Sequence, residues 1–162
     1  MGKEQIKKWI FTKENPTSLL HSVRTAVAAM ASLLIARLLQ LPEDYWAAIT
    51  TLIVMQSSLG AALPMSAQRF VGTMLGAAVG ALVVTYFSGN VLVFGIAVLL
   101  IGMLCTLLHL ERNAFRFASI TLAIIMLVPR VHNAWLIAVH RFVEVSVGIA
   151  LGLMLTALWP ER

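Results

Sequence analysis

Long apolar runs follow one another along nearly the whole chain, and they constrain its fold more than any other feature. Of the 162 residues, 60% are hydrophobic and only 12% are charged, whereas a soluble domain usually carries about 25% charged residues. A run of about 20 apolar residues is long enough to cross the roughly 30 Å hydrocarbon core of a bilayer as an α-helix. The sequence therefore predicts an all-α integral membrane protein.

Short polar breaks divide this apolar sequence into six predicted transmembrane helices. The second helix is expected to start at Pro42-Glu43-Asp44, because proline suits the first helical turn and acids suit the positive end of the helix dipole. Gly60 to Pro64 is expected to separate the second helix from the third, and Ser88-Gly89-Asn90 is typical of a tight turn. The predicted helices cover residues 17–39, 43–60, 66–87, 90–110, 112–128 and 133–158.

Residues 1–15 are predicted to form a short amphipathic helix ahead of a transmembrane domain at residues 16–159. Such a helix lies in the headgroup plane, where its lysines face anionic lipid. A plain topogenic tail is the alternative, and the two interpretations are compatible. The lipid bilayer is the expected partner in either case.

The cationic residues orient the predicted bundle. If the N-terminus is cytoplasmic, most of the Lys and Arg residues lie inside and only Arg37, Arg130 and Arg141 lie outside. Both termini are then cytoplasmic, in a multi-pass protein of the cell membrane, which in a bacterium is the inner membrane. The net charge of +5 does not indicate nucleic acid binding, since the basic residues are scattered along apolar helices.

One segment occurs twice: Arg69-Phe70-Val71 recurs as Arg141-Phe142-Val143. Residues 48–55 align in the same way with residues 119–126. The pattern predicts a duplication of three helices plus three, and an odd number of helices in each unit forces the two units into opposite membrane orientations. Chance similarity within a biased composition is the competing explanation.

Glycines follow both copies of the repeat at the same offsets. They recur at a spacing of four residues, which places them on one face of a helix and predicts close helix packing, within or between subunits. A homo-oligomer, with a dimer favoured, is one expected consequence. The glycines at matching offsets are Gly76 and Gly80 in the third helix and Gly148 and Gly152 in the sixth, and Gly72 continues the face in the third helix, where the sixth has Glu144.

Three arginines are candidate binding groups for a small anion. The inverted arrangement predicts that Arg69 and Arg141 lie near opposite membrane faces, where each would draw an anion toward the midplane. Arg116 is expected about one turn inside the membrane on the fifth helix. The alternative for Arg69 is that its side chain snorkels to the headgroups.

Glu144 is the acid most suited to proton coupling. It follows Arg141 by three residues and His140 by four, so an ion pair or hydrogen bond within one helix is available. Either Glu144 and Arg141 neutralise one another, or Glu144 accepts a proton that His140 shares.

The predicted second helix is unusually polar for its length. Its side chains could line a pore or make interhelical hydrogen bonds. Trp46 precedes these residues by one turn, although together with Tyr45 it also fits an interfacial aromatic belt. The polar residues are Thr50, Thr51, Gln56, Ser57 and Ser58.

Signatures of soluble catalysis are absent from the sequence. It contains no phosphate-binding glycine loop, no metal-ligand cluster and no nucleophile elbow. The single Cys105 lies among apolar residues, as a packing residue does. We therefore expect neither an enzyme nor a cofactor or metal site.

The segment from Tyr45-Trp46-Ala47-Ala48-Ile49-Thr50-Thr51 to Arg69-Phe70-Val71-Gly72-Thr73-Met74-Leu75-Gly76 resembles the fusaric acid resistance (FUSC) or aromatic acid exporter family. The resemblance implies export of aromatic carboxylates such as fusaric or hydroxybenzoic acid, driven by the proton gradient. Related plant malate channels imply a passive organic-anion channel as the alternative. The residues that match the family motif are Trp46, Thr50, Arg69, Gly72, Thr73 and Gly76, whereas Arg141 enters through the internal repeat.

The expected function is therefore export of small organic anions across the membrane. A passive anion channel and a non-transporting scaffold or regulatory subunit are the alternatives. Longer members of the family carry more than the single membrane module of this chain, so we expect the module to form a homo-oligomer or to need a partner subunit.

Overall fold

The computed structural model describes residues 19–56, 58–87, 90–127 and 133–159, and all regular structure within them is α-helical. Six helices follow one another, which confirms the predicted all-α helical bundle. The predicted amphipathic segment at residues 1–15 lies outside the described residues. The helices are α1 Leu19–Leu38, α2 Tyr45–Val54, α3 Leu59–Tyr86, α4 Val91–Leu107, α5 Arg112–Leu127 and α6 Ala134–Leu158.

The helices differ in length more than the sequence predicts. Among the described helices, α1, α3 and α6 are long and apolar enough to cross a membrane, with 20, 28 and 25 residues. In contrast, α2 has only 10 residues and is therefore about 15 Å long, half of the hydrocarbon core. The predicted second helix, 43–60, is thus too long.

The break between α2 and α3 lies earlier than predicted. Met55 and Ser58 have extended backbones, and the Ser58 hydroxyl caps α3 by accepting a hydrogen bond from the Ala61 N–H at 3.3 Å. The predicted breaker Pro64 lies inside α3. In this second turn its missing N–H costs the helix one main-chain hydrogen bond, and the polar cap at Ser58 is the stronger local signal.

Glycines bring two pairs of helices into backbone contact. A Cβ added at Gly76 would collide with the Ala118 carbonyl of α5, and one added at Gly148 would collide with the Ala47 carbonyl of α2. At Gly80 and Gly152 an added Cβ would lie 3.3 Å from the nearest atom of the facing helix. The predicted glycine faces are therefore used for packing within one chain.

These contacts obey the predicted inverted repeat. In the alignment of the two halves, Ala47 is equivalent to Ala118 and Gly148 to Gly76. The contact between α6 and α2 thus repeats the contact between α3 and α5. Likewise α1 packs on α2 as α4 packs on α5.

The repeat also extends to α1 and α4, which share no persuasive sequence match. Both helices end in a Schellman cap, in which the N–H of Leu41 bonds to the Ala36 carbonyl at 3.1 Å and the N–H of Leu110 bonds to the Cys105 carbonyl at 2.9 Å. Gln40 and His109 take the left-handed position of the cap, with φ of 53° and 52°.

The longest helices of the two halves run antiparallel. Phe70 of α3 contacts Phe142 of α6, with ring centroids 5.0 Å apart, and later residues of α3 meet earlier residues of α6, as Ala77 and Ala81 do with Ile137 and Ala138. Phe70 and Phe142 are equivalent in the repeat. Equivalent residues in mutual contact lie at the pseudo-two-fold axis, which for inverted repeats runs in the membrane plane.

Candidate functional site

The two repeated arginines lie together at the centre of the bundle. Arg69 and Arg141 each precede a phenylalanine of the pair at the pseudo-two-fold axis, and their charges are close enough to act on one another. The prediction that they stand near opposite membrane faces is therefore wrong, because the repeated segments cross in the middle of α3 and α6. Arg69 is only 4% exposed and does not snorkel.

Arg141 is held by two carboxylates and one aromatic ring. Its guanidinium forms an ion pair with Glu43 and lies 3.5 Å from a carboxylate oxygen of Glu144. The Trp46 ring covers one face of the guanidinium, with its centroid 4.3 Å away. Such a cation–π contact is strongest where water is excluded, and Arg141 is 2% exposed.

Glu144 contacts both Arg141 and the backbone of Glu43. Besides Arg141, its Oε1 accepts a hydrogen bond of 3.0 Å from the backbone N–H of Glu43. The carboxylate thus joins α6 to the start of α2, and it is 1% exposed. Part of the predicted alternative, neutralisation of Arg141 by Glu144, is present in the structure.

Arg69 has different surroundings. Its guanidinium donates a hydrogen bond to the Thr50 hydroxyl at 3.0 Å and lies over the Phe117 ring at 4.8 Å from the centroid. Across the part of the chain that the structure describes, no ion pair involves Arg69. It is a buried cation whose charge a hydroxyl and an aromatic ring solvate without neutralising it.

The repeat explains what the two arginines share and where they differ. Trp46 and Phe117 are equivalent, so each arginine lies over the corresponding aromatic residue of the opposite half. The two acids have no counterparts, because Glu43 is equivalent to Ala114 and Glu144 to Gly72 in the alignment. Among the described residues, carboxylates pair with Arg141 but not with Arg69, and Glu43 comes from the first half whereas Glu144 comes from the second.

A cavity of about 140 Å³ opens beside Arg141. Charged and titratable groups and apolar side chains line it together, from α6 and from the turn before α2. His140 lines the cavity with Glu144. The lining residues are Pro42, Glu43, Leu136, Ile137, His140, Arg141 and Glu144.

Of the remaining predicted residues, the threonines are buried and Arg116 is exposed. Thr50 and Thr73 are buried, and Thr50 contacts Arg69 as described. Thr51 bonds the Ser32 hydroxyl at 2.9 Å and the Gly148 carbonyl at 3.0 Å, which is the interhelical role. Arg116 is exposed, so the structure does not bring it to the other arginines.

Sequence reasoning missed two residues of this framework. Glu43 was expected only to start a helix, and no local pattern shows that it reaches Arg141, 98 positions further along. Arg24 was expected only to orient the bundle. It is fully buried, and it donates hydrogen bonds of 2.6 Å to the carbonyls of Gln56 and Trp159, at the ends of α2 and α6. An arginine within an apolar run was the available signal.

Among the described residues, no group of three His, Cys, Asp or Glu side chains is placed to hold a metal ion. The functional groups of the centre are instead cations, carboxylates, hydroxyls and aromatic rings. Buried charges at the crossing of two inverted helical units are typical of integral membrane proteins that carry solutes.

Comparison with known proteins agrees with this class. The chain belongs to the fusaric acid resistance protein-like family, whose model matches residues 28–155. This confirms the resemblance drawn from the residues around Trp46 and Arg69. No solved structure shows a significant match.

Two Escherichia coli (strain K12) proteins are among its relatives. The "Inner membrane protein YeeA" is 29% identical over 150 residues, which is 89% of this chain and 42% of YeeA. The "Uncharacterized transporter YdhK" is also 29% identical over 150 residues, which is 87% of this chain and 22% of YdhK. The chain thus spans less than half the length of these relatives.

Proposed function

We propose that this chain forms the membrane module of a transporter that exports small organic anions, aromatic carboxylates among them. The proposal rests on one observation: Arg69 is a buried cation, and no carboxylate among the described residues neutralises it. An unpaired charge in a low-dielectric interior costs several kcal/mol or more. A bound carboxylate would remove this cost and would accept two parallel hydrogen bonds from the guanidinium.

Helix dipoles also favour the binding of an anion near Arg69 and Arg141. The half-length helix α2 begins at Tyr45, next to Arg141. In the other half, Asn113 at the start of α5 bonds Gln68 of α3 at 3.1 Å, one residue before Arg69. A helix N-terminus carries partial positive charge. Each arginine therefore has the positive end of a helix beside it, as in transporters that bind substrate carboxylates at broken helices.

The size of the cavity supports an aromatic substrate. Its volume is about 140 Å³, and an apolar cavity of about 150 Å³ in another protein holds one benzene molecule. A benzoate-type ion matches this site in two respects, with a ring for the apolar side chains of the lining and a carboxylate for Arg141. A long-chain or polyanionic substrate matches it poorly.

Glu144 and His140 support proton coupling. A substrate carboxylate bound to Arg141 would bring a second negative charge close to the buried carboxylate of Glu144, which lies 3.5 Å from the same guanidinium. Protonation is the less costly outcome in such a site. Inward movement of a proton would then accompany outward movement of an anion.

We place the module in the bacterial inner membrane with both termini cytoplasmic. The name of YeeA and the predicted excess of cytoplasmic cations support this placement. We also propose that the module works as a homo-oligomer, a dimer in the simplest case, or with a partner subunit.

Transport into proteoliposomes tests the proposed function. Purified protein is reconstituted, and uptake of labelled benzoate is measured with and without a pH gradient, for wild type and for Glu144→Gln. We expect uptake against the benzoate gradient in wild type, and only downhill flux in Glu144→Gln. Downhill flux that ignores the pH gradient in both proteins would mean a passive channel. Absence of any organic-anion flux in folded wild type would leave a scaffold or regulatory subunit.

A further inference from the structure

The Glu43 carboxylate occupies the position on Arg141 that an anionic ligand would take. The Trp46 ring covers one face of the guanidinium, and Glu144 approaches another nitrogen at 3.5 Å. Glu43 accepts a charge-assisted hydrogen bond from the guanidinium. A guanidinium binds a carboxylate in the same way whether the carboxylate belongs to the chain or to a small molecule.

The opposite half shows that packing does not require this carboxylate. There Arg69 lies over Phe117 at 4.8 Å, as Arg141 lies over Trp46, but the position equivalent to Glu43 is Ala114. The same arrangement of helix, arginine and aromatic ring is therefore built without an acid. Glu43 is an addition to one half of the repeat rather than a part of its framework.

Glu43 can leave Arg141 without disturbing a helix. It lies in the turn before α2, and its backbone is held independently by the hydrogen bond from its N–H to Glu144. Its side chain is 17% exposed, against 2% for Arg141, and it borders the cavity of about 140 Å³. Rotation about its side-chain bonds can therefore take the carboxylate off the guanidinium while the backbone stays in place.

We propose that Glu43 is a tethered carboxylate that occupies the Arg141 site at rest, and that the transported carboxylate must displace it. This inference rests on the proposed function. One carboxylate replaces another on the same guanidinium, so Arg141 keeps a carboxylate partner throughout the exchange. A short tether corresponds to an effective concentration in the millimolar range, so that Glu43 weakens the binding of any free anion that competes with it.

Two adjacent acids provide a matched test. Glu43→Gln removes the carboxylate on Arg141. Asp44→Asn removes the same charge one residue later, where the carboxylate pairs with the exposed Arg37 at 2.7 Å. Benzoate binding to each protein in lipid nanodiscs is measured by titration calorimetry. We expect the dissociation constant to fall at least tenfold in Glu43→Gln and to stay within twofold of wild type in Asp44→Asn.

A double variant tests whether the tighter benzoate binding of Glu43→Gln occurs at Arg141. Adding Arg141→Gln to Glu43→Gln should abolish the tighter binding, because the released guanidinium is then missing. Helix content and a monodisperse elution profile establish that each variant is folded. If folded Glu43→Gln binds benzoate no more tightly than Asp44→Asn, the inference is overturned.

Failure of the inference and failure of the proposed function are distinguishable. Benzoate flux in wild-type proteoliposomes combined with unchanged binding in Glu43→Gln refutes the tethered carboxylate alone. Tighter binding in Glu43→Gln without flux in wild type refutes transport and supports Arg141 as an anion site that Glu43 occupies.

Discussion

At the scale of single residues, three buried arginines are solvated by three different means. Arg24 has the carbonyls at two helix ends, Arg141 has two carboxylates, and Arg69 has a hydroxyl and an aromatic ring. The carbonyl ends of helices carry partial negative charge. Arg24 and Arg141 are therefore compensated within the chain, whereas no carboxylate among the described residues compensates Arg69.

Replacement of Arg24 is expected to destabilise the protein. Arg24→Gln shortens the side chain and removes its charge, so the Gln56 and Trp159 carbonyls lose their donor. A hydrogen bond to a charged group contributes about 1.5–3 kcal/mol, and we expect a loss of about 3 kcal/mol in unfolding free energy, seen as a lower thermal midpoint in detergent. Arg24→Lys should recover only part of it, since a lysine cannot present the same fork.

Exposed Arg112 supplies the control for Arg24. Arg112→Gln removes one positive charge from the surface of the bundle, where it should change the thermal midpoint little. Equal midpoints for Arg24→Gln and Arg112→Gln would contradict the role of Arg24 at the two helix ends.

At the scale of elements, the fold depends on two glycine contacts related by the repeat. Gly76 lies on the backbone of α5, and Gly148 lies on the backbone of α2. In lipid the hydrophobic effect does not drive helices together, so such close packing has to supply much of the association energy. The pair α3–α5 and the pair α2–α6 should therefore respond alike to the same substitution.

Gly76→Ala and Gly148→Ala are each expected to destabilise the bundle. The added methyl group collides with a backbone carbonyl, which cannot rotate away as a side chain can. Overpacking of this kind typically costs about 1–3 kcal/mol, measurable as a lower thermal midpoint. Gly95→Ala is the control, because no atom lies within 4 Å of the added Cβ. A larger loss in Gly95→Ala than in the other two would contradict the packing.

Helix existence was predictable from the sequence, whereas several helix ends were not. Apolar length and the caps at Ser58, Asn90 and Asn133 are local signals. The Schellman caps of α1 and α4 have Gln40 and His109 where glycine is usual, so these two helix ends could not be predicted from a glycine. Pro64 was wrongly predicted to lie in a break between two helices, because a proline in the early turns of a helix and a proline that ends a helix cannot be told apart from the sequence alone.

At the scale of the whole molecule, the inverted repeat brings the candidate site together. The sequence revealed the equivalence of Arg69 and Arg141 but placed them apart, because a linear alignment does not show where two units cross. The Phe70–Phe142 contact decides this point. The pairing of Glu43 with Arg141 is a long-range contact of the same kind, set by packing of α2 on α6 rather than by local pattern.

The bundle also separates a central polar group from an apolar exterior. The charged groups at the centre come from the turn before α2, from α3 and from α6, whereas α1 and α4 present many exposed leucines. This arrangement fits a solute site inside the protein with lipid around it. It also makes exposed Arg116 a suitable comparison for Arg69, since both are arginines of the same chain with opposite exposure.

Benzoate flux in proteoliposomes tests directly whether Arg69 binds the transported anion. The flux is compared between Arg69→Gln and Arg116→Gln. Both variants lose one positive charge, but only Arg69→Gln loses it at the centre of the bundle. We expect Arg69→Gln to lower the initial rate at least tenfold, while Arg116→Gln keeps the wild-type rate within about twofold. Equal rates in the two folded variants, or a larger loss in Arg116→Gln, would contradict this role of Arg69.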